Sequence, residues 1–210
     1  MINWLEKSGF RNIFIIDNAS TDPKLLDWYA STAHPVYRLD RNVGHEALCK
    51  THVFQRFQKG FYVLNDPDLQ PIQKVPDDFL KYFYEVLERN ASFNKTGFGL
   101  KTDDIPDWFP QKKEVIRWEN NLNQVEIEPG VWESKIDTTF ALYRPGVMFQ
   151  QWEHTLRTAG DLELRHLPWY ENPQKLNTEE EYYYNPCGIF SSWVNSVKGK
   201  DDRYSIEGNG

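Results

Sequence analysis

The sequence predicts an α/β fold, a mixed and mostly parallel β-sheet flanked by helices. Three short apolar runs rich in β-branched and aromatic residues predict strands at 12–17, 36–40 and 61–64. The segments between them, 20–31 and 45–58, have the length and apolar spacing of helices. Strands separated by helices of this length pair in parallel through right-handed crossovers, so we expect the first half of the chain to build such a sheet.

The helix at 20–31 has a recognisable start. Asp22 is a carboxylate N-cap and Pro23 occupies the first helical position, where a proline is tolerated because it has no amide to leave unpaired. The later elements are predicted by the same patterns. They are a helix at 77–90, strands at 96–101, 135–144 and 162–170, and an amphipathic helix within 103–126.

Each of the first three predicted strands ends in a polar cluster. Asp17 closes the first run, and residues 42–44 and 66–68 follow the second and the third. In open α/β sheets, ligands bind at the carboxyl ends of the strands. The residues that we expect to line one site there are Asp17, Asn42, Gly44, Asp66 and Asp68.

The residue types in these clusters are those that hold a nucleotide and a cation. Asp66 and Asp68 lie one residue apart, and carboxylate oxygens at this spacing suit Mg²⁺ or Mn²⁺ that is also bound by phosphates and water. Asp17 can accept a hydrogen bond from the N3–H of a uracil ring, and Gly44 permits a close backbone approach. Each cluster taken alone also fits a polar turn or a helix cap.

The composition of the sequence favours some classes of protein over others. Of the 210 residues, 40% are hydrophobic and 15% aromatic, which fits one packed domain over residues 1–210. A net charge of −7 argues against nucleic acid as the partner. No apolar run reaches the roughly 18–20 residues that span a bilayer, and Cys49 and Cys187 lie outside any disulfide or metal pattern. We expect a cytoplasmic protein without a transmembrane segment; peripheral association with the inner face of the membrane stays open.

The order of the motifs resembles glycosyltransferase family 2, whose GT-A fold is Rossmann-like. The shared pattern is a strand with DNxSTD, a strand with RNxG and a strand with DxD, all within residues 12–68. It covers residues 1–100 well, which the resemblance makes the nucleotide-sugar-binding half. The resemblance implies that Asp17 meets the base, that Asn42 and Gly44 lie along the nucleotide, and that Asp66 and Asp68 hold the metal on the diphosphate.

Fewer features of residues 101–210, the acceptor-side half, match the family pattern. Many relatives have a Glu-Asp pair that supplies the general base, but the matching segment here holds only Glu153. Asp137 lies in a predicted strand that relatives place beside the acceptor, so we expect it to be the base. His166 resembles a late histidine that completes the metal site in some relatives; a packed strand-end histidine is the alternative. Aromatic candidates for a sugar platform are Trp108, Phe109, Trp118, Trp169 and Tyr170.

The resemblance implies a metal-dependent, inverting hexosyltransferase. It would move a hexose from a nucleotide diphosphate sugar, in the first place a UDP-sugar, to a glycan acceptor with Mn²⁺ or Mg²⁺ as cofactor. Two alternatives stay open. A non-catalytic carbohydrate- or nucleotide-binding relative is one, because the Glu-Asp pair is absent. A sugar nucleotidyltransferase is the other, although the glycine-rich phosphate loop that it needs is not in the sequence.

The first residues raise a further expectation about the fold. In the family, the DNxSTD strand follows an earlier strand and helix. Ile2, Trp4 and Leu5 form an apolar face and Gly9 is a typical C-terminal stop, as at the end of that helix. We therefore expect an N-terminally shortened GT-A-type fold without the family's first strand.

Overall fold

The computed structural model describes residues 1–45, 47–123, 125–136, 139–148, 153–172 and 175. Its helices are α1 (Ile2–Lys7), α2 (Pro23–Ser31), α3 (Phe54–Phe57), α4 (Phe79–Arg89) and α5 (Lys112–Leu122). Its strands are β1 (Ile15–Asp17), β2 (Val36–Arg38), β3 (Tyr62–Leu64), β4 (Leu69–Pro71), β5 (Lys95–Gly97), β6 (Gly99–Leu100), β7 (Val125–Glu128), β8 (Val131–Glu133), β9 (Ala141–Tyr143), β10 (Thr155–Thr158) and β11 (Glu163–His166). A 3₁₀ turn, Leu167–Trp169, follows β11.

After α1, the chain forms the predicted β-α-β unit. β1 and β2 pair in parallel, with Asp17 opposite Arg38. α2 starts as predicted, because the Asp22 carboxylate accepts a hydrogen bond from the Leu25 amide at 2.8 Å. The ends of both strands, and the loops that follow them, therefore lie side by side at one edge of this small sheet.

The predicted helix at 45–58 is wrong over most of its length. In the described part of this segment only α3 is helical, and turns precede it. The Thr51 hydroxyl donates to the Ala47 carbonyl at 2.8 Å and so takes the acceptor that a helical backbone amide would use. The helices predicted at 77–90 and within 103–126 are confirmed by α4 and α5.

The α/β class is confirmed, but the mostly parallel sheet is not. The largest sheet has the order β3-β9-β5-β10-β8-β7, and four of its five strand pairings are antiparallel. Its second half uses hairpin connections, such as the β7–β8 turn at Gly130, whose φ is +74°. Antiparallel strands need only such short turns, whereas parallel strands need crossover helices. A three-stranded sheet, β4-β11-β6, completes the fold.

Two glycines allow strands to approach closely. A Cβ on Gly97 would collide with the Phe140 carbonyl oxygen and with the Ala141 Cβ across the β5–β9 pair. A Cβ on Gly99 would collide with the Thr158 carbonyl oxygen. The motif TGFG therefore permits β5 to approach β9 closely and β6 to approach the end of β10 closely.

The main core lies between α4 and the six-stranded sheet. Phe79, Phe83, Val86 and Leu87 recur on one face of α4 and are completely buried. Trp4 of α1 covers this layer, with its ring stacked on Phe79 at 4.8 Å between centroids.

The two-stranded sheet joins the rest of the molecule through side chains. Among the described residues, β1 pairs with β2 alone and β3 with β9 alone, so each has an unpaired edge. Ile16 of β1 nevertheless packs against the cluster that contains Tyr62 and Leu64 of β3. In the part of the chain that the structure describes, every helix is too short or too polar to cross a membrane.

Candidate functional site

Asp68 and His166 are brought together by neighbouring strands. Antiparallel β4 and β11 place His166 opposite Leu69, and the Leu167 amide donates to the Asp68 carbonyl oxygen at 2.8 Å. The His166 Nε2 consequently lies 3.3 Å from the Asp68 Oδ2. The edge of the Trp169 ring meets the imidazole at 5.0 Å between centroids and limits its movement. Two of the three residues that the sequence assigned to a metal are therefore neighbours.

One oxygen of Asp68 has no hydrogen-bond donor among the residues that the structure describes. Its Oδ1 is buried and accepts no hydrogen bond from the described residues. The Oδ1 of Asn65, just after β3, is a second buried acceptor of this kind. Such an unpaired acceptor costs about 1–3 kcal/mol, so a bound cation or an external donor at Asp68 would be stabilised. Asp66 lies between these two residues in the sequence and is half-buried.

The metal ligands that the described residues offer beside β4 and β11 are the side chains of Asp68 and His166. Across the residues that the structure describes, no three His, Cys, Asp or Glu side chains lie close enough together to hold a metal ion. Among the described residues, Asp68 and His166 lie side by side and offer a carboxylate oxygen and an imidazole nitrogen. A pair of this kind fits a divalent cation that takes its remaining ligands from phosphates and water.

Asp17 lies at the centre of a second polar cluster. Its carboxylate is buried and accepts hydrogen bonds from the Ser20 amide at 3.2 Å, the Tyr29 hydroxyl at 3.2 Å and the Arg38 Nε at 3.0 Å. Burial by itself would raise the pKa of Asp17, but the hydrogen bonds from Ser20, Arg38 and Tyr29 outweigh it and lower the pKa. Burial and the nearby Asp17 charge raise the pKa of Tyr29 to about 12. Asp17 is therefore ionised and already fully hydrogen-bonded.

The loop after β2 is tied to the end of β1. Asn18 accepts a hydrogen bond from the Val43 amide at 2.8 Å and donates one to the Gly44 carbonyl at 2.9 Å. The exposed Asn42 accepts from the Gly44 amide at 2.8 Å. Gly44 has a φ of +78°, which favours glycine. Asn42 and Gly44 thus form a compact turn that is bonded to Asn18, the residue after Asp17.

No family model, no curated protein and no solved structure matches this chain. The resemblance to family 2 glycosyltransferases accordingly rests on the order of three motifs within residues 12–68. A function has to be inferred from the site itself.

The structure describes only one of the two candidates for the general base that would act on the sugar acceptor. Asp137 lies outside the described residues. Its neighbour Ile136 is buried, and the Ile136 carbonyl accepts a hydrogen bond from the Lys95 Nζ at 2.9 Å. Lys95 is completely buried and lies over the Tyr143 ring at 4.9 Å. Glu153 is exposed just before β10.

Two of the expected sugar platforms are wrong. Trp169 is 2% exposed and Phe109 5% exposed, and both pack in one small core cluster. Tyr170 is half-buried, and its hydroxyl donates to Asp104. Trp108 and Trp118 are 44% and 43% exposed, which leaves them as the candidates for stacking on a sugar.

Sequence reasoning missed Arg38, Tyr29 and Asn18. Arg38 faces Asp17 because of the β1–β2 register, and a register between strands is not written in either strand alone. Its side chain is 50% exposed. The signal for Asn18 was present, since it is the second residue of the DNxSTD motif.

Proposed function

We propose that this chain is a metal-dependent glycosyltransferase that moves a hexose from a nucleotide diphosphate sugar, with UDP as the expected carrier, to a glycan acceptor. The observation that carries the proposal is the β4–β11 register, which sets His166 beside the DxD motif. The polar loops that meet after β1 and β2 support it, because they offer a second set of hydrogen-bonding groups near strand ends.

Asp68 and His166 would hold Mn²⁺ or Mg²⁺, with Asp66 as a further ligand or a contact to the sugar nucleotide. The unpaired Oδ1 of Asp68 supports this assignment, since a cation would satisfy it. A bound divalent cation would supply Lewis-acid stabilisation of the negative charge on the leaving diphosphate. The Trp169 ring would keep the imidazole of His166 in place for this role.

The nucleotide would lie along Asn42 and Gly44, beside Asp17. Direct contact between Asp17 and a uracil ring requires Arg38 or Tyr29 to release the carboxylate, because both donate to it. The side chain of Arg38 is half-exposed, whereas that of Asp17 is buried, so a ligand would meet Arg38 first and Asp17 would hold its guanidinium in position.

Asp137 would act as the general base. It would take the proton from the acceptor hydroxyl as that oxygen attacks the anomeric carbon, while the bond to the diphosphate breaks and the nucleotide diphosphate leaves with the bonding electrons. Attack from the side opposite to the leaving group would invert the anomeric centre. The acceptor would be a glycan, and exposed Trp108 and Trp118 offer apolar faces to its rings.

The corresponding fold would be of the GT-A type. The parallel β1–β2 pair, with polar loops after the carboxyl ends of both strands, supports this. A cytoplasmic location, as expected from the sequence, is part of this proposal.

Product analysis by mass spectrometry tests the proposal directly. The chain is incubated with a panel of UDP-sugars, simple glycosides and Mn²⁺, and again with a chelator. We expect a glycoside one hexose heavier, or slow release of free hexose from the donor, only when the metal is present. Absence of both with every donor, in a chain that is folded by circular dichroism, would contradict an enzymatic function.

Replacing Asp68 by Asn tests the metal assignment. Asp68→Asn should lose the Mn²⁺-dependent part of UDP affinity in titration calorimetry, because an amide is a poor metal ligand. Thermal stability should change little, since the Asp68 side chain is 37% exposed. Asp161→Asn is the matched control, because Asp161 is an exposed aspartate paired with Lys74. Equal UDP affinity in Asp68→Asn and Asp161→Asn would contradict the assignment of Asp68 as a metal ligand.

Two alanine variants test whether Asp137 or Glu153 is the general base. A positioned general base contributes about 10²–10⁴-fold, so Asp137→Ala should lower the rate of transfer by that order with donor affinity unchanged. Glu153→Ala should retain transfer. The reverse outcome would assign the base to Glu153.

A non-catalytic carbohydrate- or nucleotide-binding protein is the second candidate. It is favoured by the saturated carboxylate of Asp17 and by the absence of the Glu-Asp pair from the sequence. Such a protein would bind UDP or a glycan without consuming the donor, and the donor-hydrolysis measurement distinguishes the two.

A further inference from the structure

Asn18 makes a two-point connection between separate segments of the chain. Its side-chain oxygen accepts from the Val43 amide at 2.8 Å, and its side-chain nitrogen donates to the Gly44 carbonyl at 2.9 Å. Asn18 directly follows β1, whereas Val43 and Gly44 belong to the loop after β2. One amide group thus binds consecutive residues of a loop 25 and 26 positions away.

Few side chains can make this connection. An asparagine presents an acceptor and a donor on one planar group, which matches the amide of one residue and the carbonyl of the next. An aspartate has the same shape but only acceptors when ionised, so one of its oxygens would face the Gly44 carbonyl without a proton between them. The arrangement is therefore specific for asparagine at position 18.

The loop also has its own internal order. The Gly44 amide donates to Asn42 Oδ1 at 2.8 Å, and the Ala47 amide donates to the Gly44 carbonyl at 3.2 Å. These bonds shape the turn, whereas the bonds from Asn18 fix its position relative to β1 and Asp17. Shape and position are thus set by different residues.

We infer that Asn18 is a positioning residue for nucleotide binding: it locks the loop 42–44 against the end of β1. The inference rests on the proposed function, in which Asn42 and Gly44 contact the nucleotide. Its physical content is preorganisation, because a loop that is already fixed loses less conformational entropy when a ligand binds. Asn18 would therefore act on affinity through the loop, without touching the reacting atoms.

The sharpest test is Asn18→Asp, compared with Asn90→Asp. Asn90 Nδ2 donates to the Val86 carbonyl at 2.9 Å at the end of α4, so the control removes the same kind of donor and adds the same charge. Asn18→Ala removes both bonds without adding a charge and guards against an effect of charge alone.

Two measurements are made on each full-length variant. Hydrogen exchange of peptides that cover residues 41–46 should become faster in both Asn18 variants and stay as in the wild type in Asn90→Asp. UDP affinity in the presence of Mn²⁺ should fall about 5- to 30-fold, the range expected for one or two hydrogen bonds. KM for the sugar nucleotide should rise in proportion while kcat stays near the wild-type value.

The outcomes separate the inference from the function on which it rests. Unchanged exchange at 41–46 in both Asn18 variants would overturn the lock, and faster exchange with unchanged UDP affinity would overturn its role in binding. A fall in kcat with KM unchanged would also contradict it. If the wild type binds no UDP, the proposed function fails already in the wild type, and the role in nucleotide binding falls with it. The exchange comparison then still decides whether Asn18 locks the loop.

Discussion

The first 45 residues and the region around α4 are stabilised in different ways. Residues 1–45, all of which the structure describes, contain no fully buried hydrophobic side chain, and their one fully buried residue is Asp17. Around α4, by contrast, Phe79, Phe83, Phe98 and Phe140 are completely buried in one aromatic cluster. The candidate nucleotide loops belong to the first region. The second region contributes the rigid layer on which the strands are placed.

This difference between the two regions determines whether a substitution acts on one loop or on the whole fold. A hydrogen bond contributes about 0.5–1.5 kcal/mol, and losing one releases a loop without unfolding the domain. A buried aromatic contributes several kcal/mol and acts on the whole fold. We therefore expect substitutions in the aromatic cluster to lower global stability, and substitutions in the polar cluster to act mainly on local order and on ligand binding.

The largest effect on stability should come from Phe79→Ala. Phe79 is 0% exposed, and its ring lies 5.2 Å from Phe98 and 5.4 Å from Phe140 between centroids. The lost contacts and the cavity should lower the free energy of unfolding by about 3–5 kcal/mol in urea titration. Tyr84→Ala, at a 43% exposed site on the same helix, is the control and should change it far less. Similar losses in both would mean that α4 is not the centre of the core.

Gly97→Ala should come next. The new methyl group would meet the Phe140 carbonyl oxygen and the Ala141 Cβ, so strands β5 and β9 would have to separate. Overpacking of this kind costs about 1–3 kcal/mol, measured as a lower urea midpoint. Gly60→Ala is the matched control, because a Cβ there would meet no atom within 4 Å. A Gly97 variant as stable as the wild type would show that the strands can adjust without cost.

Asp17→Asn should destabilise the fold less than Phe79→Ala does, and by an amount that depends on pH. The folded-state pKa of Asp17 is lowered, so its carboxylate stabilises the fold above the unfolded pKa of about 3.9 and loses this effect as the pH falls through the folded value. The variant should be less stable than the wild type by about 1–3 kcal/mol at neutral pH, because hydrogen bonds from Arg38 and Tyr29 are weakened.

Urea titrations of Asp17→Asn and of the wild type at neutral pH and below about pH 3 check this expectation. The difference between the two proteins should shrink in acid. Asp161→Asn, which alters an exposed pair with Lys74, should differ from the wild type by less than about 0.5 kcal/mol at either pH. If the difference in the free energy of unfolding between Asp17→Asn and the wild type is the same at both pH values, the charge of Asp17 does not cause it.

The same comparison explains what could be predicted from the sequence. The β-α-β unit and its cap at Asp22 depend on neighbouring residues, and both were predicted correctly. The antiparallel pairing of the second half depends on hairpins, and Pro129-Gly130 between two β-rich runs was a signal that could have been used. The partners of Asp17 could not be predicted, since they follow from the register of β1 on β2.

The pairing of β4 with β11 has a consequence for the order in which the site is assembled. Asn18 reaches a loop 25 positions away, whereas Asp68 and His166 lie 98 positions apart in the sequence. Closing the longer loop costs more chain entropy. During synthesis, all residues of the candidate nucleotide loops are available as soon as β2 and its loop have left the ribosome. Asp68 has to wait until Glu163–His166 emerges, so a growing chain carries only half of its candidate site until then.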